Sequence, residues 1–224
     1  MKIGLTQRIL YFNGSAYDAT QHGWYSYLKG HTIVPIPNRL DQDFEQLAVE
    51  LDALIIPGGD DSALRQSVGD WKLDCVDLFK QGKIREARTL MCQQSTPGEA
   101  DEIFRWITVE LKLAGQMALR KKPIVGVCHG CFLLVDVLGG EVVGTNNHNN
   151  VEHLIKYFGD TIIVNSFHNL SIKQLHQSAT VLATDIDGNI EAWIDGSMAG
   201  IVWHPERMKE PWIPDEIKTL LFKD

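Results

Sequence analysis

Cys128 closes an apolar run, Pro123-Ile-Val-Gly-Val-Cys-His-Gly130, that stops abruptly between small residues. The stretch Ile124-Val-Gly-Val127 is short and β-branched and follows the turn Lys121-Lys122-Pro123, which predicts a buried parallel strand. Beyond the cysteine, apolar residues recur at helical spacing as far as Leu138 and stop at Gly139-Gly140. A cysteine at a sharp strand-to-helix turn, with Gly126 two residues before it and Gly130 two after, has the layout of a nucleophile elbow. The glycines matter because such a turn is strained and a neighbouring Cβ would crowd the backbone. The helix N-terminus also places partial positive charge near the sulfur and favours the thiolate. The competing reading is a structural cysteine packed in an ordinary strand-turn-helix.

A thiol nucleophile needs a base, and the base needs a group to hold it. Of the eight histidines, His204 has the best local support: it ends the apolar run Gly200-Ile-Val-Trp203 and is followed by Pro205 and Glu206. In an extended chain, residues two apart point to one side, so His204 and Glu206 would share a face. The carboxylate could then accept the imidazole Nδ1–H and fix the tautomer. The third element is Pro57-Gly58-Gly59-Asp60, just past a predicted buried strand. The backbone N–H of Gly59 there, with that of His129 after the cysteine, could bind an oxyanion. Taken singly, the second element reads equally as a solvated loop and the third as a plain tight turn.

The elements that must position these groups alternate along the chain. Lys2 to Thr6, Thr32 to Ile36 and Ala53 to Pro57 read as strands, separated by helical stretches from Gln21 to Gly30 and from Asp41 to Leu51. A long amphipathic helix is predicted over 100–120. After Gly140 the pattern changes to successive strands at Glu141-Val-Val143, Thr161 to Asn165, Thr180 to Thr184, Ile190 to Ile194 and Gly200 to Trp203. Asp187-Gly188-Asn189 forms a hairpin turn, and Pro214 opens a final helix. This predicts one α/β domain over residues 1–224: a three-layer, flavodoxin-like, doubly wound sheet, mostly parallel with antiparallel additions. Residues 62–99 are the least regular part and are expected to be an insertion or a lid over the site, with a short helix from Trp71 to Lys80.

A net charge of −8 argues against nucleic acid as a partner, and no apolar stretch is long enough to span a membrane. The first residues read as a strand with no signal-peptide core, so the cytoplasm is expected. Cys128 and Cys131 form a C-x-x-C, but no second pair and no finger-spaced histidines accompany it, so Cys131 reads as a packed helix residue. No metal is expected.

The motifs Ile55-Ile-Pro-Gly-Gly59, Gly126-Val-Cys-His-Gly130, Val164-Asn-Ser-Phe-His-Asn169 and Gly200-Ile-Val-Trp-His-Pro-Glu206 together resemble the class I glutamine amidotransferase-like superfamily over nearly the whole chain. Within it the order Asn165-Ser-Phe-His168, Glu191-Ala192, Trp203-His-Pro-Glu206 looks most like the γ-glutamyl-γ-aminobutyrate hydrolase group. The resemblance implies Cys128 as nucleophile, His204 as base and acid, and Glu206 as orienter. It also implies a γ-glutamyl thioester, a small γ-glutamyl substrate, and no metal or organic cofactor. A homodimer stays open. His168 matches a position lining the substrate pocket, to which Gly58 is also given, and otherwise reads as a strand-end histidine in a polar loop. His148 and His153 read as surface loop residues.

Two departures stand out. Phe132 occupies the place where the family usually has a Gln contacting the glutamyl group, so Phe132 either lines the substrate site or is plain helix core. His129 replaces the usual Arg, as in protease-like relatives on the same fold. Gly4-Leu-Thr-Gln-Arg8, Phe167-His-Asn169 and Asp187 to Ala192 also resemble a subgroup that cleaves a γ-glutamyl group from a nucleotide-linked phosphoramidate during surface-polysaccharide synthesis. The competing functions are a glutaminase subunit feeding a synthetase and an intracellular-protease-like or non-catalytic relative on this fold.

Overall fold

The computed structural model describes residues 1–13, 15–39, 41–59, 74–75, 77–78, 81–94, 109–146 and 148–222. Five strands make a parallel core: β1 (Lys2–Thr6), β4 (Thr32–Ile36), β5 (Ala53–Ile56), β6 (Ile124–Val127) and β13 (Met198–Ile201). Their order across the sheet is β4-β1-β5-β6-β13. Numbered among themselves this is 2-1-3-4-5, the flavodoxin-like winding, which gathers ligand sites at the carboxyl ends of the strands. Every residue of β5 (ALII) and β6 (IVGV) is buried. That is why both read as unbroken apolar runs: a central parallel strand is covered on both faces.

The second half of the sheet is antiparallel and larger than the sequence suggests. From β13 it continues through β12 (Ile190–Asp195), β11 (Thr180–Asp185), β8 (Asn149–Tyr157) and β9 (Asp160–Phe167), while β10 (Leu170–Gln174) pairs with both β12 and β7 (Glu141–Gly144). The turn between β11 and β12 is built as expected. Asp185 Oδ1 accepts the N–H groups of Asp187 and Asn189 at 2.9 and 2.8 Å, and Gly188 takes φ +90°. A separate hairpin pairs β2 (Arg8–Phe12) with β3 (Ser15–Ala19).

The helices are α1 (His22–Tyr27), α2 (Phe44–Glu50), α3 (Ile84–Gln94), α4 (Leu111–Leu119), α5 (His129–Val137) and α6 (Asp215–Leu221). Asp43 caps α2 by accepting the N–H of Gln46 at 2.9 Å. Helix α5 packs on β5, β6 and β13, and α4 and α6 also reach β6. Of the expected insertion or lid over 62–99, only α3 and its flanks are described. Most of the predicted Trp71–Lys80 helix, residues 100–108 and Asp60 lie outside the described residues. Among the described residues no helix is long and apolar enough to cross a membrane.

Candidate active site

The turn between β6 and α5 is the strained element of the site. Cys128 adopts φ 51°, ψ −107°, left-handed for a residue with a side chain, and it immediately precedes the first turn of α5. Its amide donates to the Ile201 carbonyl of β13 at 2.9 Å, and its carbonyl accepts from Phe132 at 3.1 Å. The flanking glycines have a steric reason. A Cβ on Gly126 would run into the backbone of Gly130, and one on Gly130 would run into the Ile56 carbonyl of β5. Strand and helix can approach this closely only without those two side chains. The cysteine is 1% exposed.

His204 follows β13, the parallel neighbour of β6, so the cysteine and the imidazole leave adjacent strands at the same edge of the sheet. The extended Gly200–Trp203 strand predicted from sequence ends earlier, at Ile201, and Pro205–Arg207 forms a 3-10 turn. The reasoning that placed His204 and Glu206 on one face of an extended chain is therefore corrected. Pro205 takes the first position of a tight turn instead, where its fixed φ and missing N–H cost nothing. That turn carries Glu206 Oε1 to 2.7 Å from His204 Nδ1. Both side chains are buried. A carboxylate oxygen only accepts, so Nδ1 carries the proton and Nε2 is left for chemistry.

Several groups hold this pair. Asn165 on β9 grips the backbone of His204 from both sides: its Oδ1 accepts the His204 N–H at 2.8 Å and its Nδ2 donates to the His204 carbonyl at 2.8 Å. Phe167 meets the imidazole edge to face at 5.8 Å. Gly23 on α1 leaves room for the Glu206 carbonyl. Burial, with the Glu206 charge nearby, pushes the Tyr27 hydroxyl well above the ordinary phenol range. Asn165 belongs to a motif visible in the sequence, yet its role as a backbone clamp had no signal beyond that motif.

Gly58 and Gly59 follow β5, the other neighbour of β6. Gly58 is buried and Gly59 half-buried. Gly58 backs directly onto the imidazole: an added Cβ would sit 2.3 Å from His204 Cε1 and 3.2 Å from Nε2. His129 supplies the first backbone amide of α5, at the positive end of the helix dipole. Its side chain points into a buried network that sequence reasoning missed. His129 Nε2 lies 3.0 Å from Glu110 Oε2, and Glu110 Oε1 accepts from Thr6 Oγ1 at 2.7 Å. A glutamate in an amphipathic run reads as solvent-facing, but Glu110 is fully buried.

Cys131 is a packed helix residue, fully buried, with the Trp193 indole N–H donating to its sulfur at 3.3 Å. Burial pushes its thiol far above the usual range. Phe132 is also buried, on α5, with its ring 6.1 Å from that of His168. His168 is 1% exposed. Burial, and secondarily His148, His153 and His204, lower its imidazole to about 4 against the raising effect of the Leu170 carbonyl. His148 and His153 are not surface loop residues, a further correction. His153 lies within β8 and His148 just before it, and both rings pack on each other and on His168.

Comparison with known proteins fits this geometry. The family described as glutamine amidotransferase class-I matches residues 96–223. The γ-glutamyl-CDP-amidate hydrolase of Campylobacter jejuni is 23% identical over 215 residues, covering 92% of this chain and 90% of that protein. Protein NtpR of Enterococcus hirae is 30% identical over 125 residues, covering 43% of this chain and 52% of that protein. The crystal structure of a glutamine amidotransferase from Thermotoga maritima superposes with a TM-score of 0.53 at 15% identity, covering 92% of this chain and 76% of that one, which speaks to the fold alone. With the α/β flavodoxin-like winding and a family match over more than half its length, the chain belongs to the class I glutamine amidotransferase family.

Proposed function

We propose that this chain is a cysteine-nucleophile hydrolase that cleaves the γ-glutamyl amide bond of a small molecule through a γ-glutamyl thioester. The observation that carries the reading is Cys128 held at φ 51° between β6 and α5, with His204 and Glu206 leaving the adjacent strand joined at 2.7 Å. A strained backbone at a buried thiol costs on the order of 1–3 kcal/mol and persists where function demands it.

In the proposed reaction the Cys128 sulfur, its proton taken by His204 Nε2, attacks the γ-carbonyl carbon. The oxyanion forms against the N–H groups of Gly59 and His129. Collapse breaks the C–N bond, and the imidazolium returns its proton to the departing nitrogen. Water then attacks the thioester with His204 as base, releasing glutamate and restoring the thiol. Glu206 keeps the imidazole in the required tautomer and stabilises its charged form.

The leaving group of this proposal is an amine or a nucleotide-linked phosphoramidate, the latter supported by the name of the Campylobacter relative. Glutamine itself is the competing substrate. Glutamate release is measured from a CDP-linked γ-glutamyl phosphoramidate, from γ-glutamyl amines and from glutamine, with intact mass recorded during turnover. The expected result is release from the phosphoramidate or an amine in preference to glutamine, with a γ-glutamyl adduct absent from Cys128→Ala. Full turnover by Cys128→Ala would end the proposal, and preference for glutamine would convert it to a glutaminase.

A further inference from the structure

The three histidines beside the candidate active site enclose a set of polar atoms that the protein itself leaves unused. His148, His168 and Glu191 each place a potential ligand atom within 4.8 Å of the others. His168 Nδ1 is 2.7 Å from the Leu170 carbonyl, which can only accept, so Nδ1 holds the proton and Nε2 presents its lone pair. That Nε2 is buried and has no hydrogen-bond partner among the described residues. The same holds for Glu191 Oε2 and His148 Nδ1. His153 Nε2 stands 3.5 Å from Glu191 Oε2, and His148 Nε2 faces Asp185 Oδ2 at 3.6 Å. Asp185 is already committed to the β11–β12 turn through three hydrogen bonds.

Buried polar atoms ordinarily find partners, and several unsatisfied ones converging on a single point call for a guest. Asp185 and Glu191 are both buried carboxylates, and among the described residues their ion pairs are with imidazoles alone. A cation is therefore the complementary guest, and imidazole with carboxylate suits a borderline transition ion better than calcium or magnesium. The elements are also suitable: Glu191 sits on β12, and His168 is fixed between β9 and β10. His168 further shows the backbone hydrogen bond on its far nitrogen that orients metal-bound histidines.

We propose that His148, His168 and Glu191 form a binding site for a divalent ion of the zinc class, with His153 adjoining Glu191 from outside. Bonds of about 2.0–2.1 Å in a tetrahedron place ligand atoms roughly 3.4 Å apart, so the widest pair must close by about 1.4 Å. Two imidazoles and a carboxylate leave a fourth position open. The site stands independently of the proposed hydrolase reaction, because no group of the Cys128, His204, Glu206 set belongs to it.

The test uses the full chain carrying Cys128→Ala, so that the Cys128 thiol offers no rival ligand. After chelator treatment and exposure to Zn2+, then gel filtration, metal content is measured, and Co2+ is titrated in parallel while the visible spectrum is recorded. About one retained equivalent of Zn2+ and the intense visible bands of tetrahedral Co2+ are expected. Adding Glu191→Gln or His148→Asn should weaken binding a hundredfold or more, with circular dichroism verifying the fold. Absence of both retained zinc and the Co2+ bands in the Cys128→Ala chain would overturn the site. So would undiminished binding in the two added variants. Neither outcome depends on turnover, so the metal site and the hydrolase reading fail separately.

Discussion

Replacing Gly58 with alanine tests whether the backbone after β5 sets the position of the imidazole. The new Cβ would lie 2.3 Å from His204 Cε1, whereas ordinary contact begins near 3.4 Å, a deficit of 1.1 Å. The ring has little freedom to yield. Its Nδ1 is tied to Glu206 at 2.7 Å, and its backbone is tied to Asn165 at 2.8 Å on both sides. Moving the ring by the deficit lengthens the Glu206 bond past hydrogen-bond range or shifts Nε2 away from the sulfur. A misplacement of about 1 Å costs on the order of a hundredfold in rate.

Stability moves less than activity. Overpacking costs about 1–3 kcal/mol, offset by about 0.4–1 kcal/mol because alanine restricts the unfolded chain. The net expectation is a loss of roughly 0–2.6 kcal/mol on those same figures. The assay is glutamate release, with kcat and KM separated, alongside urea unfolding. The expected outcome is kcat lowered about a hundredfold with a folded protein. Gly115→Ala serves as control, since an added Cβ on that exposed α4 residue meets nothing within 4 Å. Unchanged kcat in Gly58→Ala would refute the idea that this glycine keeps the imidazole in place.

Asn165→Ala should destabilise by about 1–3 kcal/mol, because it strands the buried amide of His204, whose carbonyl still accepts from the Arg207 N–H at 3.2 Å; urea unfolding measures it, and a loss under about 0.5 kcal/mol would contradict the clamp. Gly130→Ala should cost about 3 kcal/mol or more, since its Cβ meets the Ile56 carbonyl and neither backbone can yield; a variant with native unfolding midpoint would show the elbow to be loose. Burial raises the Cys131 and Cys75 thiols, so both stay protonated at neutral pH. Iodoacetamide at that pH, followed by peptide mapping of the native chain, should label Cys128 ahead of either, and prior labelling of Cys131 would contradict the packing described.

What the sequence discloses depends on how an element is buried. β5 and β6 are covered on both faces, so their residues are uniformly apolar and their ends are marked by Gly58 and Cys128. Strand β8 is different: of its nine residues Ile155 alone is fully buried, and the alternation of exposed and partly buried residues is confined to residues 152–157, so no apolar run marks it. His148 and His153 consequently read as loop. The β2–β3 hairpin is not among the expected elements, and Leu10 and Tyr17 lie exposed on it. The His204–Glu206 pairing was legible in its residues but not in its geometry. Spacing of two suggests a strand face, whereas Pro205 opens a tight turn that achieves the contact another way. Glu110 was hidden because a buried carboxylate is indistinguishable by type from an exposed one until His129 and Thr6 stand beside it.

The clamp on His204 also constrains the shape of the sheet. In hydrogen-bonded order, β13 and β9 are separated by β12, β11 and β8, which makes four steps. At about 4.8 Å per step a flat sheet would hold them roughly 19 Å apart. Asn165 on β9 nevertheless bonds both backbone groups of His204 at 2.8 Å. The antiparallel half must therefore twist and curl until β9 returns over the carboxyl end of β13, and register shifts in the β11–β12 and β8–β9 pairings give it the local bends to do so. This accounts for an antiparallel extension on a parallel sheet. The parallel half brings Gly58, Cys128 and His204 to one edge and packs α1 against the turn after β13, but the partner of the His204 amide comes from the other half. The curled half supplies Asn165, so disturbing the β8–β9 pairing should be felt at the imidazole even though β8 is not paired with β6, the sulfur's strand.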